Sequence, residues 1–167
     1  MYNINPLSKQ NLMQHTDKIS GIFPELTNTE LVTLILHSSG LRPPRMADLL
    51  SVSKKTVNAH IENIRVKFQL DNYEEVKQVC DLRITLHKEP ERYANLFPEL
   101  EPSLYQCLIM VCCGLTVEEI ANRISNCNIQ NVIDQISEIK HIYHVDFLSD
   151  LRVFFSIRLK FSQTKKG

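Results

Sequence analysis

The chain has 167 residues, enough for one medium domain or two small ones. Its 43% apolar content supports a packed core. No stretch reaches the ~18–20 apolar residues of a membrane span, and Met1 to Gln10 is mixed and polar, unlike a secretory leader, so a cytoplasmic protein is expected. The 19 Lys and Arg balance 19 Asp and Glu, which excludes a uniformly basic chain and leaves charge to be read locally.

Residues 1–22 form an N-terminal segment ahead of a run of helices. Thr27 is placed to cap a first helix whose Leu31, Leu34 and Ile35 share one face, and Gly40 ends it. Pro43 and Pro44 suit the first turn of a second helix that buries Ala47 and Leu50. The short turn Ser51-Val52 leads to Ser53, the cap of a third helix over 53–68. There Val57, Ile61, Ile64 and Phe68 recur at helical spacing, so one side is core and the other faces outward. Asn72 caps a fourth helix expected to bury Val76, Val79 and Ile84. This defines a module at 23–85, and Pro90 with several charges marks 86–95 as a linker.

The remainder repeats the pattern. Phe23-Pro24-Glu25-Leu26 recurs as Phe97-Pro98-Glu99-Leu100, and Gly40-Leu41 as Gly114-Leu115 at the same offset. Past a one-residue insertion near Asn126, Val57 aligns with Val132, Ile61 with Ile136, Ile64 with Ile139 and Asp71 with Asp146. So many coincidences in order indicate a duplicated unit of about seventy residues, with the second copy at 96–161 and a disordered tail at 162–167. No alternating strand pattern of useful length occurs, and the expected fold is all-α, two tandem four-helix modules.

The third helix carries the chemistry. Lys55, Asn58, Ala59 and Glu62 lie opposite Val57 and Ile61, on the face a recognition helix turns into the major groove. Asn bonds adenine, Glu accepts from a cytosine amino group and Lys reaches guanine. Ser53, Lys54, Thr56, Arg65 and Lys67 supply hydroxyls and cations suited to phosphates. Between Arg42 and Lys67 the cations Arg42, Arg45, Lys54, Lys55, Arg65 and Lys67 outweigh Asp48 and Glu62, a net +4 inside a neutral chain.

Leu26-Thr27-x-x-Glu30, Gly40, Ala47, Leu50-Ser51-Val52-Ser53-x-x-Thr56-Val57-x-x-His60-Ile61-x-x-Ile64-x-x-Lys67-Phe68 and Asn72-x-x-Glu75 together resemble the LuxR/GerE helix-turn-helix family. The resemblance implies a bacterial transcription regulator that binds double-stranded DNA through its third helix and pairs with a second subunit through its fourth. By position, Lys55, Asn58, Ala59 and Glu62 would face bases, Ser53, Thr56 and Lys67 would meet phosphates, and His60 would pack and orient the helix. Arg45-Met46-Ala47 departs from the usual Glu-Ile-Ala, and Tyr73 stands where arginine is common.

In the second copy the groove-facing positions become Gln130, Ile133, Asp134 and Ser137, and the net charge between Thr116 and Ile142 turns negative, which phosphate repels. This copy is expected not to bind DNA. Its last helix, Phe147 to Leu159, is apolar nearly all round. The excess points to a homodimer interface built on Leu151, Phe154, Phe155 and Arg158. Pairing with the first copy's fourth helix within one chain is the alternative. That helix, with Glu74, Glu75, Lys77 and Asp81, is too polar to cover so much phenylalanine.

Among the five cysteines, Cys80, Cys107, Cys112, Cys113 and Cys127, no C-x-x-C pair occurs, so no zinc site is expected. The vicinal Cys112-Cys113 admits a redox reading, but its apolar run favours two small core residues. No nucleophile–base pair and no phosphate loop is evident, so neither an enzyme nor a cofactor is expected. A second functional reading is a co-regulator whose helix-turn-helix scaffold binds another regulator or RNA polymerase.

Overall fold

The computed structural model describes residues 8–164, and these are helical with no strand among them. The chain divides into two compact units, Met1–Cys80 and Asp81–Gly167.

The first unit begins with α1 (Lys9–His15), capped by Ser8, and a 3-10 turn at Thr16–Lys18. The expected N-terminal segment is therefore structured from Lys9 onward, and Leu12 and Met13 pack on the domain core. Helix α2 (Asn28–Ser38) opens on a capping box: the Thr27 hydroxyl accepts from the Glu30 amide, and the Glu30 carboxylate accepts from the Thr27 amide. It sits between two apolar clusters. Leu31 and Leu34 join Phe23, Ile64, Phe68 and Val79 on one side; Val32 and Leu36 join Met46, Leu50, Val57 and Ile61 on the other. One apolar face was expected for this helix, and the buried Val32 and Leu36 add a second.

Helix α3 (Pro43–Leu50) starts on the two prolines and ends at Ser51, which takes a left-handed φ of 55°. Val52 follows, and Ser53 caps α4 (Lys54–Lys67), which buries Val57, Ile61 and Ile64. Helix α5 (Tyr73–Leu86) is capped as the sequence suggests, by the Asn72 side chain accepting from the Glu75 amide at 3.0 Å.

Helix α5 crosses the division between the units. Val76, Val79 and Cys80 belong to the first core, while Leu82 and Leu86 belong to the second. Ile84, expected to be buried, is 42% exposed, because Leu82 and Leu86 occupy the inward positions of that stretch. The stretch expected as a linker at 86–95 is largely ordered: α5 runs to Leu86 and a 3-10 helix spans Pro90–Leu96.

The second unit continues with α6 (Pro102–Cys112), α7 (Val117–Arg123), α8 (Ile129–Tyr143) and α9 (Leu148–Thr164). Phe97 anchors its core, 4.5 Å from Phe155 and 6.0 Å from Tyr105 between ring centroids. Two buried arginines serve the end of α6: Arg83 donates to the Cys113 carbonyl at 2.8 Å and Arg152 to the Val111 carbonyl at 3.3 Å. Cations at a helix C-terminus satisfy orphan carbonyls and complement the dipole. All five cysteines are free thiols, and Cys112 and Cys113 are buried. Burial pushes both thiols up, Cys113 to about 11, so they are poor thiolates.

The repeated sequence signatures make the same local bonds. Leu26 donates to Phe23 as Leu100 does to Phe97, each at 3.1 Å; Gly40 donates to His37 as Gly114 does to Val111, also at 3.1 Å. Val57, Ile61 and Ile64 are buried in one unit and Val132, Ile136 and Ile139 in the other. The turns differ. Ser51 and Val52 alone separate α3 from the cap of α4, whereas Ile124 through Cys127, with Asn126 left-handed at φ 58°, separate α7 from the cap Asn128. Ser162–Thr164 continue α9 and are not a disordered tail; residues 165–167 lie outside the described residues. No described helix is long and apolar enough to cross a membrane.

Candidate nucleic-acid interface

The outer face of α4 begins at its cap. The Ser53 hydroxyl accepts from the Thr56 amide at 3.1 Å and lies 2.9 Å from the Thr56 hydroxyl. Lys54, Lys55, Asn58 and Ala59 are exposed on the next two turns. With Val57 fully buried on the opposite side, they stand outward on α4. His60 is half-buried and lines a small cavity of about 20 Å³ with Met13, Val32 and Leu50, a packing role.

The later turns are engaged within the protein. Arg65 forks onto Glu62, with Nη2 2.6 Å from Oε1 and Nε 2.9 Å from Oε2, and it also donates to the Leu70 carbonyl in the turn after α4. The Tyr73 hydroxyl donates to the same Glu62 carboxylate at 3.0 Å. Hydrogen bonds from Arg65 and then Tyr73 hold the Glu62 carboxyl at about 2. Lys67 donates to the Glu30 carboxylate at 2.6 Å and to the Glu25 carbonyl at 3.0 Å. Burial pushes the Glu30 carboxyl up, but Lys67 and the Thr27 amide outweigh it and hold the group below its ordinary range.

The nine residues expected at the interface therefore fall into two sets. Ser53, Lys54, Lys55, Asn58 and Ala59 are exposed, with Thr56 half-buried among them. Glu62, Arg65 and Lys67 each have partners inside the first unit. The i,i+3 spacing of Glu62 and Arg65 was a usable sequence signal for that pair. Nothing local pointed to Glu30 as the partner of Lys67 or to Tyr73 as the partner of Glu62.

The corresponding helix of the second unit has another surface. On α8, Ile129 is 46% and Ile133 42% exposed, and Gln130 donates to Asp134 at 2.9 Å. The four side chains expected at a dimer interface are used within this unit. Leu151 and Phe155 are core residues at 1% and 0% exposure. Phe154 packs 4.7 Å from the Tyr143 ring, and Arg158 stacks over Phe154 at 4.3 Å while forking onto Glu99. The apolar side chains that α9 leaves outward are Val153, Ile157 and Phe161, with Phe147 just before the helix. The helix read as apolar all round has a core face and a separate outer face.

A short two-residue turn, a hydroxyl-capped third helix and a polar, cationic outer face on a three-helix core define a DNA-binding helix-turn-helix domain. Residues 24–79 match the family model of bacterial regulatory proteins, luxR family, a match that lies wholly within the first unit. The first unit thus carries a LuxR-type helix-turn-helix domain, the DNA-binding domain of bacterial regulatory proteins. No curated protein and no solved structure matches the chain. Among the described residues no group of three His, Cys, Asp or Glu side chains is placed to hold a metal ion.

Proposed function

We propose that the first unit binds double-stranded DNA with α4 in the major groove, reading bases with Lys55, Asn58 and Ala59 and meeting phosphates with Ser53, Lys54 and Thr56. The observation that carries this reading is the run of exposed polar and cationic side chains on the first two turns of α4, backed by the buried Val57 and Ile61. Glu62, Arg65 and Lys67 act mainly as the frame that holds the helix, since each is committed to a protein partner. The protein works in the cytoplasm, where its target is found.

The second unit serves assembly. It is a degenerate copy of the first, a reading supported by the repeated turn bonds and by an α8 surface that pairs isoleucine with acid. A two-fold homodimer would cover Val153, Ile157 and Phe161 on α9 and present two reading helices about 34 Å apart, one duplex turn. The exposed Ile129 and Ile133 favour a second reading, in which α8 meets another regulator or RNA polymerase.

Fluorescence anisotropy on labelled genomic fragments at several salt concentrations tests the DNA reading. Binding whose logarithm falls linearly with the logarithm of salt is expected. No binding to any fragment at low salt would overturn it.

A further inference from the structure

The cations of the first unit divide by partner. Arg65 and Lys67, at the end of α4, are tied to Glu62 and Glu30. Arg42, Arg45, Lys54 and Lys55 are exposed, and among the described residues none of them has an ion pair or a side-chain hydrogen bond. Asp48, three residues after Arg45 and the only acid of α3, is itself exposed and makes no ion pair with it. The local positive charge is thereby concentrated on the first turns of α3 and α4.

The start of α3 is unusual for an anion-facing helix end. Pro43 and Pro44 occupy its first two positions, so two of the amide donors that a helix N-terminus ordinarily offers are missing. Arg42, the cap residue, makes no side-chain capping bond. An anion held at this end must be held by side chains. Arg42 and Arg45 are three residues apart and so neighbour each other on the helix surface. Guanidinium forks match phosphate oxygens in pairs and stay charged at any working pH. In a helix-turn-helix the helix before the reading helix crosses the DNA backbone.

We infer that Arg42 and Arg45 are phosphate-binding residues that extend the DNA interface from α4 onto the first turn of α3. The inference rests on the DNA reading above and adds two contacts to it. A sugar-phosphate strand passing the start of α3 is gripped by both guanidiniums while Ser53, Lys54 and Thr56 hold it at the start of α4. This grip carries no base information, so it sets affinity and register and leaves sequence preference to α4.

The test uses the full chain and two duplexes, one preferred and one scrambled, with anisotropy read across a salt series. Arg42→Ala and Arg45→Ala should each weaken binding to both duplexes, by about tenfold at fixed salt. Each should lower the salt slope by about one unit and leave the ratio between duplexes unchanged. Arg45→Lys should recover most of the slope, because it keeps the charge. Both positions are exposed, so the thermal midpoint should stay at the wild-type value. If wild type binds with a steep salt slope and both alanine variants match it, the inference is overturned while the DNA reading stands. If wild type binds neither duplex, the DNA reading falls and takes the inference with it.

Discussion

Lys67 and Glu30, 37 positions apart in the chain, meet at 2.6 Å and join the last turn of α4 to the first turn of α2. The lysine is partly exposed and the carboxylate almost wholly enclosed, at 37% and 6% side-chain exposure. The contact therefore matters more for what it leaves behind when broken than for its own Coulomb energy. Removing Lys67 leaves the enclosed Glu30 carboxylate without its counter-charge, with the Thr27 amide as its remaining donor.

From this it follows that Lys67→Ala destabilises the first unit by about 1–3 kcal/mol, the cost of removing a charged hydrogen bond from an enclosed carboxylate. Thermal unfolding monitored by circular dichroism reads the loss. Below the melting range the salt slope of DNA binding should match wild type. A slope lower by a full unit with unaltered stability would make Lys67 a phosphate contact and sink the structural role.

Glu62 is held at about 2 by Arg65 and Tyr73, so it stays ionised at any pH used for binding. Glu62→Gln removes its charge and frees Arg65 for phosphate. Non-specific DNA affinity should rise several-fold and the salt slope should steepen by about one unit. An unchanged slope would show that Arg65 keeps its position without the carboxylate.

Glu99 in the second unit is also held at about 2, first by the hydrogen bond from Arg158, against an ordinary 4.5. A carboxyl depressed on folding contributes stability above its unfolded pKa, and that contribution is lost as pH falls through the folded value. Wild type should therefore exceed Glu99→Gln in stability at pH 7, and the gap should close between pH 4.5 and about 2. Because the Glu99 side chain is 42% exposed, the gap is expected to be only about 0.5–1 kcal/mol. Hydrogen exchange in α8 and α9 measures it, and a gap that widens on acidification would refute the assignment.

The two faces of α9 should separate fold from assembly. Phe155→Ala opens the second core and should cost about 3–5 kcal/mol. Ile157→Glu and Phe161→Glu sit on the outer face, so they should leave the fold intact and dissociate a dimer in sedimentation at micromolar concentration. A wild-type monomer at that concentration removes the homodimer.

Much of this was legible in the chain. The cap at Thr27, the Ser51-Val52 turn and the buried Val57, Ile61 and Ile64 follow from local spacing, and each is present. What spacing does not carry is partner choice across the fold. Lys67 and Glu99 look like free surface charges until Glu30 and Arg158 are brought to them by packing. The same holds for α9, where Leu151 and Phe155 face inward and Val153 and Ile157 outward. A helix this rich in apolar residues conceals that division in its sequence.

The unequal turns limit what side-chain exchange could achieve. Transplanting lysine, asparagine and alanine onto α8 at the places of Gln130, Ile133 and Asp134 would supply the chemistry of a reading head. The helix carrying them would still begin after Ile124–Cys127 in place of the tight Ser51-Val52 corner. A reading helix depends on where its first residue leaves the preceding one, and the longer connection after α7 moves that point. The longer connection after α7 is a backbone difference between the units that point substitutions on α8 would leave in place.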